Sequence, residues 1–309
     1  MPSKTDPPPF RSGYVSIAGR PNVGKSTLLN RVLGEKIAII SRKPNTTRNR
    51  ILGIRNLTHA QIIFLDTPGI SSGSFGHKAQ KQLNRYMVKE AMKACGDADL
   101  ILLMIEATRP WQDEDLFTLK NISRLNLPAF LLINKIDRVG KPSLLPLINQ
   151  SQRQGPFKEI FPVSALTGHG VDELVDTIPS YLPEGPAYFP EDLITDQAER
   201  FLAAETVREK VFALTDKEVP YSTAVTIEEF KEAPDIIRIS ALIHVEHDSQ
   251  KGILIGKNGA MLKKIGTLAR RELEEFLAQR VFLKLLVRVE KNWTRNPKSL
   301  RKLGYQGPN

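Results

Sequence analysis

One cysteine, Cys95, stands among 309 residues. A single thiol excludes an internal disulfide framework and fits a reducing compartment. No histidine or other base lies near it, so Cys95 reads as a small helix-packing residue rather than a nucleophile. No apolar run reaches ~18 residues, so no membrane-crossing helix is expected. The opening MPSKTDPPPF has no apolar centre and does not read as a secretory signal; its prolines suggest a short disordered lead. A cytoplasmic location is expected. Histidines number 5, and the pair His244 and His247 lies at strand spacing that points to opposite faces, with no cysteine near, so no metal site is read there. Acidic residues are in deficit: 44 Lys and Arg against 34 Asp and Glu leave a net charge of +10. That excess points to a polyanionic partner, either nucleic acid or an anionic membrane surface.

The length suggests two domains. β-rich apolar runs recur at 14–19, 51–56, 61–67, 100–106, 129–135 and 159–165, and helix-period stretches separate most of them. This alternation predicts βαβ units in a mostly parallel sheet with helices on both faces, which is why the strands read as continuous apolar runs. The short LTHA between the second and third runs predicts a hairpin and one antiparallel strand. The proline-rich LPEGPAYFPED, 182–192, marks a boundary. The expected division is a first domain at 10–182, a linker at 183–192 and a second domain at 193–309. An amphipathic helix capped by Thr195 or Asp196 should open the second domain, followed by two strands, two helices and a last strand. The order α-β-β-α-α-β describes a compact α+β unit.

GRPNVGKS, 19–26, fits the phosphate-loop pattern in full, after a strand and opening a helix. Its backbone N–H groups and the helix N-terminus suit phosphate oxygens. Gly24 lets the backbone come close, Lys25 should reach the β- and γ-phosphates, and Ser26, followed by Thr27, should ligate Mg²⁺. DTPG, 66–69, ends a strand: Asp66 is the expected Mg²⁺-side carboxylate, and Gly69 would offer its N–H to the γ-phosphate. NKID, 134–137, ends another. A carboxylate at Asp137 accepts from the two adjacent donors of guanine, whereas adenine would face it with an acceptor, a mismatch of roughly 1–3 kcal/mol. Asn134 should brace the loop, the Lys135 stem can cover the base, and SAL, 164–166, would offer the Ala165 N–H to guanine O6 beside Ser164. Each short motif is weak alone; in this order, all at strand ends on one sheet edge, they are strong together. Asp113, Glu114 and Asp115 suit a helix's first turn and take no catalytic role.

A second glycine-lysine turn, Gly256-Lys257-Asn258-Gly259, fails as a phosphate loop: Lys251 stands where the first glycine should, and no Ser or Thr follows Lys257. It fits G-x-x-G, the turn that clamps a nucleic-acid backbone across about four nucleotides. Ile253, Leu254, Ile255 and Ile265 would floor a groove for unstacked bases, with Lys257 and nearby helix N–H groups meeting phosphates; Lys263, Lys264 and Arg270 follow on the helix as further RNA-binding candidates. Further basic residues crowd the last strand and tail. Trp293 there reads as a packing residue ahead of a base-stacking one.

The first domain resembles the translation-factor-class GTPases. The pairing with GRPNVGKSTLLN, PNTTRNRILGI, FLDTPGI, NKID and ILIGKNGAMLKKIG resembles the Era family of bacterial GTPases over nearly the whole chain. The resemblance implies an α/β P-loop GTPase domain followed by a smaller α+β type II KH domain. It implies a GTP/GDP switch with Mg²⁺ that hydrolyses GTP, binds the 3′ end of 16S ribosomal RNA and assists maturation of the small ribosomal subunit. It also implies loose, peripheral association with the inner membrane face; a monomer is expected. NTTRNR, 45–50, resembles switch I, where Thr47, or else Thr46, should ligate Mg²⁺. Lys25, Thr47 and Gly69 are the expected catalytic set. Ile70 stands where Ras-like enzymes carry a water-orienting Gln. Asn22 matches an asparagine that, in MnmE-like GTPases, holds K⁺ against the phosphates, so K⁺ is a further candidate ion. The segment 70–78 should be mobile and suits switch II. Two readings compete: a membrane-surface signalling GTPase with a lipid-reading basic domain, and an RNA scaffold with a vestigial nucleotide site. Intact Lys25, Ser26, Asp66 and Asp137 argue against the scaffold.

Overall fold

The structure, a computed structural model, describes residues 9–41, 43–71 and 81–305. The described residues fall into two compact units: one within 1–38, 49–72 and 88–196, the other within 39–48, 73–87 and 197–309.

The first unit is built on β1 (Arg11–Ala18), α1 (Lys25–Leu33), β2 (Ile51–Leu57), β3 (Ala60–Asp66), the later part of α2 (Lys81–Gly96), β4 (Leu100–Glu106), α3 (Asp113–Ile122), β5 (Ala129–Asn134), α4 (Leu144–Gln152), β6 (Glu159–Pro162) and α5 (Val171–Thr177). Its six strands lie in the order β2-β3-β1-β4-β5-β6. All neighbours are parallel except the β2–β3 hairpin. The strands β3 and β4 are buried at every position, as a sheet covered on both faces requires. Cys95 is buried within the helix–sheet core, where burial pushes its thiol up to about 11. Helix α4 is an addition to the expected pattern: only Leu147 and Ser151 of LLPLINQSQ are buried, too sparse a stripe to announce a helix.

The stretch 183–192 corrects the expected linker. Gln61 Oε1 accepts from the N–H groups of Tyr188 (2.7 Å) and Phe189 (2.9 Å), and Asn56 Nδ2 donates to Glu191 O at 2.8 Å. Ile54 N–H donates to Ile194 O at 2.7 Å, so this chain covers the edge of β2, which would otherwise present unpaired backbone. The unit runs to Asp196. Thr195 is not a helix cap: its Oγ1 donates to Leu52 O, and the next helix starts three residues beyond Asp196.

The second unit carries α6 (Glu199–Leu214), β7 (Ala224–Lys231), β8 (Ile237–Val245), α7 (Asp248–Ile255), α8 (Ala260–Leu277), β9 (Val281–Val289) and α9 (Pro297–Lys302). The sheet order is β7-β8-β9, antiparallel then parallel. Val207 and Val211 of α6, Leu254 of α7 and Ile265 and Ala269 of α8 pack on Ala241, Ile243 and Val245 of β8. His247 lies beyond β8, at the N-cap of α7, where Gln250 Oε1 accepts from its backbone N–H.

Candidate functional site

In the first unit, Gly24 caps α1 at φ 110°, and a Cβ there would stand 2.2 Å from Asn134 Nδ2. The glycine is therefore required by close packing of the loop on β5. Lys25 is buried, and its Nζ donates to the carbonyls of Gly19 and Arg20, both at 3.1 Å. Burial pushes its ammonium down to about 8, with Asp66 acting in the opposite sense. Ser26 Oγ donates to Asp66 Oδ2 at 2.7 Å. Two hard oxygen donors so juxtaposed, a hydroxyl and a carboxylate at the head of a helix, suit Mg²⁺. Thr27 follows in the same turn, half-buried. Ile70 N–H donates to Gly19 O at 3.1 Å, which lays the Gly69 turn against the start of the phosphate loop. The Ile70 side chain is fully buried in the core with Ala18, Ile101 and Ile105. It cannot orient a water by chemistry or by position. Most of 70–78, the expected switch II segment, lies outside the described residues.

At the other end of the loop, Asn134 Nδ2 donates to Val23 O at 2.7 Å and Lys135 Nζ to Asn22 O at 2.8 Å. Asp137 is exposed, and its Oδ1 accepts from Ser164 Oγ at 2.6 Å. The Ala165 N–H donates to Asn134 Oδ1 at 2.9 Å. That is a correction: the amide expected to serve guanine O6 ties the two base-side loops together instead. Sequence reading missed Arg20, Glu106 and Asp115. Arg20 Nε donates to Asp115 Oδ2 at 3.2 Å, and Glu106 Oε2 lies 3.0 Å from Lys135 Nζ. Burial works against the Glu106 carboxylate, but bonds from Thr108 and Lys135 hold its pKa below the usual range. Asp115, read as serving only the helix dipole, is wholly buried beside Arg20; burial raises its pKa.

Thr46 and Thr47 are buried and belong to the segment counted with the second unit. Arg48 fixes that segment. Its Nη1 donates to Thr223 O (2.7 Å) and Tyr305 Oη (3.0 Å), and its Nη2 to Pro220 O (3.2 Å) and Tyr221 O (2.9 Å). Its guanidinium also lies within 5.8 Å of the rings of Phe212, Trp293 and Tyr305. Arg208 Nη2 donates to Thr46 O at 2.6 Å. Trp293 is fully buried, stacks on Tyr305 and donates to Ser222 O, as the packing reading expects.

The G-x-x-G turn joins α7 to α8. Gly256 (φ 71°, ψ 175°), Asn258 (φ 51°) and Gly259 (φ 78°) all lie at positive φ, and Lys257 and Asn258 are exposed. Beside the turn lies an open groove of about 340 Å³ between α8 and β9, lined by Gly259, Leu262, Lys263, Gly266, Thr267, Arg270, Leu283 and Leu285. This corrects the expected floor. Leu254 and Ile265 face the core because α7 and α8 each bury one stripe on the sheet. Ile253 is exposed, Ile255 is half-buried, and Lys264 lies off the groove-facing stripe of Lys263, Gly266, Thr267 and Arg270. Arg270 also pairs with Glu274 at 3.0 Å.

Two family models match: one described as 50S ribosome-binding GTPase at residues 14–135, and one described as KH domain at 218–294. A protein named GTPase Era from Syntrophus aciditrophicus (strain SB) is 54% identical over 298 residues, covering 96% of this chain and 95% of that one. A GTPase Era from Coxiella burnetii (strain CbuK_Q154) is 45% identical over 299 residues, covering 96% and 99%. Among solved structures, Era in complex with MgGDPNP and nucleotides 1506–1542 of 16S ribosomal RNA is similar at 48% identity and TM-score 0.91, over 96% of this chain and 99% of that one. A point variant of Aquifex aeolicus Era bound to GDP.AlF4- matches with the same identity, TM-score and coverage.

Proposed function

This chain belongs to the Era family of GTPases, and on that premise we propose that it is a GTP-hydrolysing switch that binds the 3′ region of 16S ribosomal RNA and assists maturation of the small ribosomal subunit. The observation that carries the reading is one chain holding both the Ser26–Asp66 pair at 2.7 Å behind a complete phosphate loop and a G-x-x-G turn opening on a basic groove.

The roles follow from the residues. Ser26 and Asp66 would hold Mg²⁺, and Thr47, or else Thr46, is the further ligand expected in the GTP state; the metal would supply charge neutralisation at the phosphates. Lys25, already buried among carbonyls, exchanges them for phosphate oxygens. Gly69 brings its N–H to the γ-phosphate side. Asn134 and Ala165 brace the base-side loops, and Asp137, backed by Ser164, accepts from guanine. Ile70, buried in the core, cannot orient the attacking water; Asn22 would hold a K⁺ ion against the phosphates, where it would supply the charge of an arginine finger, and a hydrolysis rate unchanged when Na⁺ replaces K⁺ at fixed ionic strength would refute that role. Lys257, Lys263 and Arg270 meet RNA phosphates while Leu262, Leu283 and Leu285 face bases. Asn258 shapes the turn, and Ile253, Ile255 and Lys264 extend the contact outward.

Among the described residues no helix is long and apolar enough to cross a membrane. A cytoplasmic protein is our reading, with any membrane contact peripheral. The test is a titration of a 3′ 16S fragment and of anionic vesicles with wild type and with Lys257→Glu/Lys263→Glu. Both positions are exposed, so folding is spared. The proposal expects strong loss of RNA binding. RNA affinity equal to wild type overturns it, and loss confined to vesicles favours the membrane-surface reading.

A further inference from the structure

Glu106 closes β4 and is buried, yet it belongs to none of the nucleotide motifs. Its Oε1 accepts from Thr108 Oγ1 at 2.5 Å. Its Oε2 receives Lys135 Nζ at 3.0 Å and Arg20 Nη2 at 3.4 Å. One carboxylate thus bridges a cation of the phosphate loop and a cation of the base loop. Lys135 makes a second bond, to Asn22 O, and holds a left-handed backbone at φ 65°. A non-glycine residue persists there only when its surroundings over-determine it. Asp115 serves Arg20 rather than Lys135: its Oδ2 receives Arg20 Nε and the Gln112 N–H.

We propose that Glu106 is a positioning residue for nucleotide recognition: it holds Lys135 against the Asn22 carbonyl and thereby sets the Asn134–Asp137 loop for the base. Removing its charge leaves Arg20 and Lys135 facing each other without the carboxylate between them. Lys135 then loses its ion pair and keeps only neutral acceptors, chief among them the Asn22 carbonyl. The inference rests on the reading of Asn134–Asp137 as the guanine loop.

The test measures affinities of the full chain for GTP, GDP, ITP and ATP in wild type, Glu106→Gln, Glu106→Asp and Thr108→Val. Glu106→Gln keeps the shape and loses the charge. It should weaken GTP and GDP alike by about tenfold, through faster dissociation, and narrow the GTP:ITP ratio, with kcat at saturating GTP unchanged. Glu106→Asp should recover most of the affinity, and Thr108→Val should shift it in the same direction as Glu106→Gln but less. A Glu106→Gln protein with wild-type affinities overturns the proposal. So does one with a lowered Tm but an unchanged GTP:ITP ratio, which would mark a purely structural role. Wild type that fails to prefer GTP over ATP removes the guanine reading itself, and this proposal with it.

Discussion

Arg48 Nη1 donates to Tyr305 Oη at 3.0 Å, joining residues 257 positions apart. The segment that should respond to GTP is thereby fastened into the unit that carries the G-x-x-G turn. Arg48→Ala would strip donors from three carbonyls and a phenol in a buried setting. It should cost about 3 kcal/mol or more in urea unfolding. Arg48→Lys should recover little, since an ammonium cannot serve the fork of acceptors. The difference in RNA affinity between GTP-analogue and GDP states should shrink in both variants. An unfolding midpoint unchanged in Arg48→Ala would refute this account.

Asp137→Asn should collapse guanine preference. The amide presents one donor where guanine also has a donor, so GTP affinity falls while ATP affinity barely moves. The GTP:ATP ratio should shrink by a factor matching roughly 1–3 kcal/mol. Xanthine, with a carbonyl in place of the exocyclic amine, should bind the variant better than wild type. Competition binding with the three triphosphates decides it.

The two glycines of the second turn should differ. A Cβ on Gly256 would meet Met261 Cβ at 2.8 Å, and its φ 71°, ψ 175° backbone is one that other residues essentially never adopt. Gly259 has an ordinary left-handed backbone at φ 78°, ψ 8°, with nothing within 4 Å of a Cβ. Gly256→Ala should therefore cost about 1–3 kcal/mol and most RNA affinity. Gly259→Ala should cost about 1 kcal/mol and leave more binding. Equal effects in thermal melts and RNA titrations would contradict the geometry.

The stability of the second unit should carry a histidine signature. His244 is buried, with Nε2 2.9 Å from Thr226 Oγ1 and Nδ1 3.4 Å from Glu290 Oε2. Burial lowers its pKa below 6.5; Glu290 opposes this, and Arg288 and Lys302 reinforce it. Below about 6.5 the unfolded chain binds more protons at this site than the fold does, so stability falls as the pH drops through that value toward the folded one. His244→Gln should lose less stability than wild type between about pH 7 and about pH 5.5. Parallel losses in urea unfolding would exclude this role.

Much of the nucleotide chemistry was legible because it is local. Lys25, Ser26 and Asp66 sit at strand ends and a helix start whose apolar runs announce them, and β4 spans the residues its apolar run marks. The second unit's order from α6 to β9 followed from periodicity for the same reason, while the closing helix α9 did not. The groove floor was not legible. Leu254 and Leu262 look alike in sequence, and only the packing of α7 and α8 on the sheet buries the first fully and leaves the second half-buried between core and groove.

By itself, then, the sequence determined which chemistry this protein can do: glycine-rich turns, a helix start, a guanine-reading carboxylate and a basic surface are properties of short contiguous segments. Tertiary structure alone decided how those segments are held. The Glu106 bridge, the strap of 183–195 along β2 and the burial of Arg48 join residues far apart in the chain. Each depends on desolvation and on partner geometry, which exist only once the sheets have brought the partners together.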